Sequence, residues 1–166
     1  MKKLELSLGG ITKESLMQLL EKNNIMLNPL GEKLLQSELF QVSKEKREVQ
    51  LTEISLRELG FEEGANLLDI IKVARSVGLD VCSIDVAPFL RLDYHQNNTY
   101  GMEKEFKTPE GAVTVVSEIL SEEVTFPKGF YLRKNDGNLW LRGYTCDYDH
   151  IFELDEIFIF EGCIEN

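Results

Sequence analysis

The sequence predicts an α+β fold, with a helical N-terminal half packed on a mainly antiparallel sheet formed by the C-terminal half. Three observations predict it. Residues 67–77 carry a broad helical stripe of Leu67, Leu68, Ile70, Ile71, Val73, Ala74 and Val77. Residues 129–144 read as a β-hairpin around Asp136-Gly137, a pair suited to a two-residue type I′ turn, where both positions need positive φ. Residues 156–161 hold Ile157, Phe158, Ile159 and Phe160, apolar on both faces, which is the pattern of a buried strand.

The elements follow in order along the chain. Met1-Lys2-Lys3 resembles the start of a signal peptide, but Glu5 interrupts any apolar core and no small-residue cleavage site follows. Thr12 can cap a helix running to about Asn23, with Leu16, Leu19 and Leu20 on one face. Asn28-Pro29 supplies an N-cap and a proline at the first helical position, ahead of a short helix bearing Leu30, Leu34 and Leu35. Ser43 to Arg47 is a charged connector. It forms a seam between a helical N-terminal segment, 1–45, and an α+β main domain, 46–166, within one compact unit. Glu48 to Ile54 alternates as a strand, with Val49, Leu51 and Glu53 on one face.

Ser55-Leu56-Arg57-Glu58 is a capping box, and Gly60 stops the very short helix it opens. Asn66 starts the striped helix and Gly78 ends it. Its wide stripe implies burial on more than one side and a central place in the fold. Asp85 to Leu92 reads as a helical turn followed by an extended piece, its length limited by Pro88. Tyr94 to Gly111 is a long polar loop, and Ala112 to Leu120 is a strand.

The 166 residues are 43% hydrophobic and carry a formal net charge of −11, as expected of a globular chain that needs no staples. The acid is uneven: residues 1–83 hold 11 basic and 13 acidic side chains, whereas residues 84–166 hold 7 and 16. Such a field repels nucleic acid and anionic membranes and favours basic partners or cations, and solubility alone would also account for it. Cys82, Cys146 and Cys163 are odd in number and lack CxxC spacing, which fits a reducing cytoplasm and argues against disulfides or a zinc site. No apolar run approaches the ~18 residues of a membrane span.

The two-residue turn fixes the hairpin register. Leu132 faces Leu141 and Lys134 faces Leu139 on one side. On the other, Arg133 faces Trp140 and Tyr131 faces Arg142. A three-residue loop with a bulge at Gly137 would shift the partner strand by one and mix the two faces.

Four segments resemble a family of small uncharacterised bacterial proteins. They are Glu58-Leu59-Gly60-Phe61, Gly78 to Cys82 with Leu90 to Tyr94, Gly129 to Arg133, and Leu139 to Tyr144. The resemblance spans most of residues 46–160. It implies one structural unit from Glu48 onward and brings no established activity.

Three clusters are candidate sites. Tyr131, Arg133, Trp140, Arg142 and Tyr144 form an arginine–aromatic ladder that could grip an anion or a protein partner, or simply stabilise the sheet. Asp147, Asp149 and His150 could hold a divalent cation with Glu153 or Asp155, or form a polar turn. Arg91, Tyr94 and His95 could place a base at the loop. The simpler reading has Arg91 pinning the loop through backbone carbonyls. No GxSxG, P-loop, GxGxxG or HExxH motif occurs. The expected function is therefore that of a cytoplasmic, non-enzymatic binding protein without a cofactor, engaging another protein in an immunity-like or phage-defence role. The alternative is a small metal-dependent or acid–base enzyme using Asp147, Asp149 and His150.

Overall fold

The computed structural model describes residues 1–96 and 111–165. Its elements are β1 (Lys2–Leu8), α1 (Lys13–Lys22), β2 (Met26–Leu27), α2 (Pro29–Gln36), β3 (Arg47–Ser55), α3 (Leu67–Ser76), α4 (Val86–Asp93), β4 (Val113–Val115), β5 (Gly129–Asn135), β6 (Asn138–Tyr144) and β7 (Ile157–Glu161). The strands form one sheet in the order β1-β3-β7-β4-β5-β6-β2.

This corrects the expected fold class. The sheet draws β1, β2 and β3 from the N-terminal half, and it is mixed: β4 runs parallel to β7, and β2 parallel to β6. β1 forms because Leu4, Leu6 and Leu8 recur every second residue, so one face of the strand enters the core while Lys3, Glu5 and Ser7 stay exposed. Sheet order makes the rest mixed. β7 enters between β3 and β4, antiparallel to the first and parallel to the second.

The helix caps follow the sequence. Thr12 accepts from Ser15 N at 3.1 Å, Asn28 from Gly31 N at 2.8 Å and Asn66 from Asp69 N at 2.9 Å. Asn28 also clamps α2 to β6, donating to Gly143 O at 2.9 Å and accepting from Gly143 N at 2.8 Å. The backbones are so close here that a Cβ on Gly143 would lie 2.6 Å from Gly31 N. The Ser55–Glu58 box forms around a turn, with Glu58 Oε2 accepting from Ser55 N at 2.9 Å. α4 is one continuous helix, contrary to the expected turn and extended piece. Pro88 lies within its first turn, where the backbone N–H groups have no intrahelical acceptor to lose. β4 stops at Val115 because the chain then pairs with Cys82, whose N–H donates to Val116 O at 2.7 Å.

The sheet is covered on both sides. α1, α2 and α4 pack on one face against Leu6, Leu8, Val49, Leu51, Val113, Val115, Phe130, Leu132, Leu141 and Ile159. Among the described residues α3 is the helix on the other, where Leu67, Ile70, Ile71 and Ala74 join Ile54, Phe158 and Phe160. The striped helix thus packs on the sheet holding the hairpin and terminal strand, but across the sheet from α1, α2 and α4 and not as the hub of a helical half. Most of the polar segment 94–111 lies outside the described residues.

Ile71 is 8% exposed within the α3 contact. Ile71→Ala should lower unfolding free energy by about 2–5 kcal/mol in urea titration, through lost burial and a residual cavity. A loss near zero would place Ile71 in solvent.

Candidate functional site

The hairpin adopts the two-residue register. Arg133 pairs with Trp140, Tyr131 with Arg142, and Leu132 with Leu141. Asp136 and Gly137 have φ of 50° and 79°, as a type I′ turn requires. The aliphatic residues enter the three-helix core, so the ladder lies on the α3 side of the sheet.

The five ladder residues separate by depth. Tyr131 and Arg133 are buried, whereas Trp140, Arg142 and Tyr144 are half-buried. Arg142 Nε donates to Tyr131 Oη at 2.8 Å, and the Arg142 guanidinium carbon sits 4.9 Å from the Trp140 ring centre. The guanidinium is thereby held between a buried phenol and a partly exposed indole. Tyr144 plays a different part. Its ring lies over Gly129, where an added Cβ would come within 3.4 Å of it, and burial pushes its hydroxyl far above the usual tyrosine range. It belongs to the α3-side core. Met26 of β2 pairs with Trp140 and is 41% exposed, so it extends the open part of the ladder. Its two-residue strand left no periodic signal in the sequence.

Arg91 supports the hairpin from within. Its side chain is fully buried, and Nη2 donates to Tyr94 O at 2.9 Å. Nη1 donates to Gln96 Oε1 at 2.9 Å and to Trp140 O at 3.3 Å. Gln96 Nε2 in turn donates to Gly111 O and Leu132 O, both at 2.9 Å. The carbonyl-pinning role expected of Arg91 is the one observed. Burial lowers the guanidinium to about 10, still fully charged at neutral pH. Tyr94 Oη donates to Glu53 Oε2 at 2.8 Å, and burial raises it well above its ordinary value. His95 is exposed and lines a shallow pocket of about 350 Å³ with Lys134 and Leu139.

Asp147 and Asp149 are exposed, and His150 is half-buried. Asp147 Oδ1 accepts from Asp149 N at 3.0 Å, which is the bond of an Asx turn, and the His150 ring meets Phe152 edge-on at 4.6 Å. Among the described residues no three His, Cys, Asp or Glu side chains are grouped to hold a metal ion. Among those residues, too, no helix is long and apolar enough to cross a membrane. No family model, curated protein or solved structure matches the chain at a significant level.

Two predictions follow from the buried groups. Arg91→Met leaves Tyr94 O and Gln96 Oε1 without their donor, so stability should fall by about 2–4 kcal/mol, and Trp140 emission should change with it. Arg91→Lys should rescue little of this loss, because an ammonium cannot reproduce the forked geometry. The second concerns alkaline pH. Burial pushes up the Cys82 thiol, the Cys146 thiol (to about 11) and the Tyr94 and Tyr144 hydroxyls. The folded chain keeps these protons after the unfolded chain has lost them, so stability is lost as pH rises above about 9. Arg91 acts in the opposite sense above about 10, but one base is outweighed by four acids. The urea midpoint should drop between about pH 8 and 10.5, and Cys82→Ala should flatten the drop. A midpoint independent of pH would contradict the burial of these groups.

Proposed function

We propose that the chain is a non-enzymatic binding protein of the cytoplasm that engages another protein through the open part of the hairpin face. Met26, Trp140 and Arg142 are its anchors. The observation that carries this reading is the Arg142 side chain, stacked on Trp140 and tied to Tyr131 before any partner arrives. A long side chain already ordered loses little entropy on binding, so its contacts translate into affinity. Tryptophan and arginine are the residue types most often found at energetic centres of interfaces, and an exposed methionine adapts to an apolar partner surface. Around these anchors the acidic surplus of residues 84–166 favours a basic partner and speeds its approach. An immunity-like role, in which an acidic protein covers a basic one, is the specific form we favour.

Capture from an extract of the source cell tests the proposal. The tagged chain should retain a protein partner at low salt and release much of it as salt rises. Trp140→Ala and Arg142→Ala, each shown to be folded by circular dichroism, should weaken the captured partner by about 30-fold or more. Capture of no protein, together with a small metabolite bound in a pocket, would overturn the reading.

A further inference from the structure

β1 is the outermost strand of the sheet and seven residues long, whereas β2 at the opposite edge has two. Gly162 N donates to Gln50 O at 2.8 Å, so Gln50 and Thr52 turn their backbone groups toward β7. Val49, Leu51 and Glu53 therefore turn toward β1, where their partners are Leu6, Leu4 and Lys2. The amides and carbonyls of Lys3, Glu5 and Ser7 point away from the sheet, and no described residue pairs with that side.

We propose that this edge receives a second copy of the chain. The two β1 strands run antiparallel about a twofold axis at Leu4, so that Lys3 of each copy faces Glu5 of the other. In that register Lys3 and the partner's Glu5 exchange both backbone hydrogen bonds, because both turn outward. Their exposed side chains lie opposite each other on one face and form two symmetry-related ion pairs. Leu4, half-buried at the rim of the core, meets its own copy on the other face. Centring the axis on Lys3 or Glu5 would set like charges against each other, and centring it on Leu6 would pair no charges. Charge thus selects a single register.

Two further features favour this occupant. Beside β1, a cleft of about 710 Å³ sets Leu6, Phe89 and Leu92, the last two half-buried, among Glu5, Glu48 and Asp93, so a partner there covers apolar surface inside an acidic rim. A single long edge also closes a pair, where two would propagate a fibre.

Sedimentation equilibrium tests the proposal. The 19.0 kDa chain should approach about 38 kDa as concentration rises, and salt should weaken the association. Lys3→Glu alone and Glu5→Lys alone place like charges opposite each other and should each raise the dissociation constant by about tenfold. The double variant Lys3→Glu with Glu5→Lys restores opposite pairs and should return to within about threefold of the parent. Amide exchange at Lys3, Glu5 and Ser7 in the unaltered chain should slow as concentration rises, a readout that needs no variant. A chain that stays at 19.0 kDa up to millimolar concentration would overturn the proposal. So would a dimer indifferent to the single charge changes, or one whose three β1 amides exchange at the same rate in monomer and dimer.

Discussion

The sheet depends on β7. This strand bonds to β3 on one side and β4 on the other, and without it the sheet would separate into β1–β3 and β4-β5-β6-β2. Its side chains serve two cores at once. Ile157 and Ile159 enter the three-helix side, and Phe158 and Phe160 the α3 side. Burial of these four residues is worth on the order of 5–10 kcal/mol, comparable with the whole net stability of a domain. Both faces are covered because β7 is apolar on both sides, and helices supply much of that cover.

The hairpin at the far side of the sheet gains its rigidity differently. Its apolar side is packed, but its backbone is also held by a buried cation. Arg91 reaches Trp140 O from below, while the Trp140 indole carries Arg142 above. Trp140 is therefore fixed through its main chain by one arginine and through its ring by another. Gln96 extends the same network to β5 and Gly111. A site built on such support presents one geometry, which favours selective binding over plasticity.

What could be read from the sequence was local. Three side-chain caps, the turn at Asp136-Gly137 and the doubly apolar β7 announce themselves within a few residues, and the hairpin register follows from that turn together with the separation of Leu132, Leu139 and Leu141 from the aromatic face. The pinning by Arg91 was also legible, since a lone arginine at the end of an apolar helical segment must find carbonyls if it is buried. The sheet order was not, because β7 pairs with residues some 100 positions earlier and no local pattern records that. β1 carries the Leu4, Leu6, Leu8 alternation, but Met1-Lys2-Lys3 ahead of it also suits the start of a leader, and only its pairing with β3 decides between the two. The division of the ladder was hidden for a related reason. Whether Tyr131 is buried and Trp140 half-open depends on how tertiary packing covers that face, and Met26 joins it only through a two-residue parallel pairing.

The central place of β7 has a consequence for synthesis. β3 is complete by Ser55, but its partner begins at Ile157. At about 5–20 residues per second, the ribosome takes roughly 5–20 s to bridge that interval. Throughout it β3 presents an unpaired edge, and the apolar faces of both half-sheets lack the strand that joins them. The nascent chain must therefore be carried through this wait by chaperones or by provisional collapse, and the last strand to emerge is the one that commits all the others.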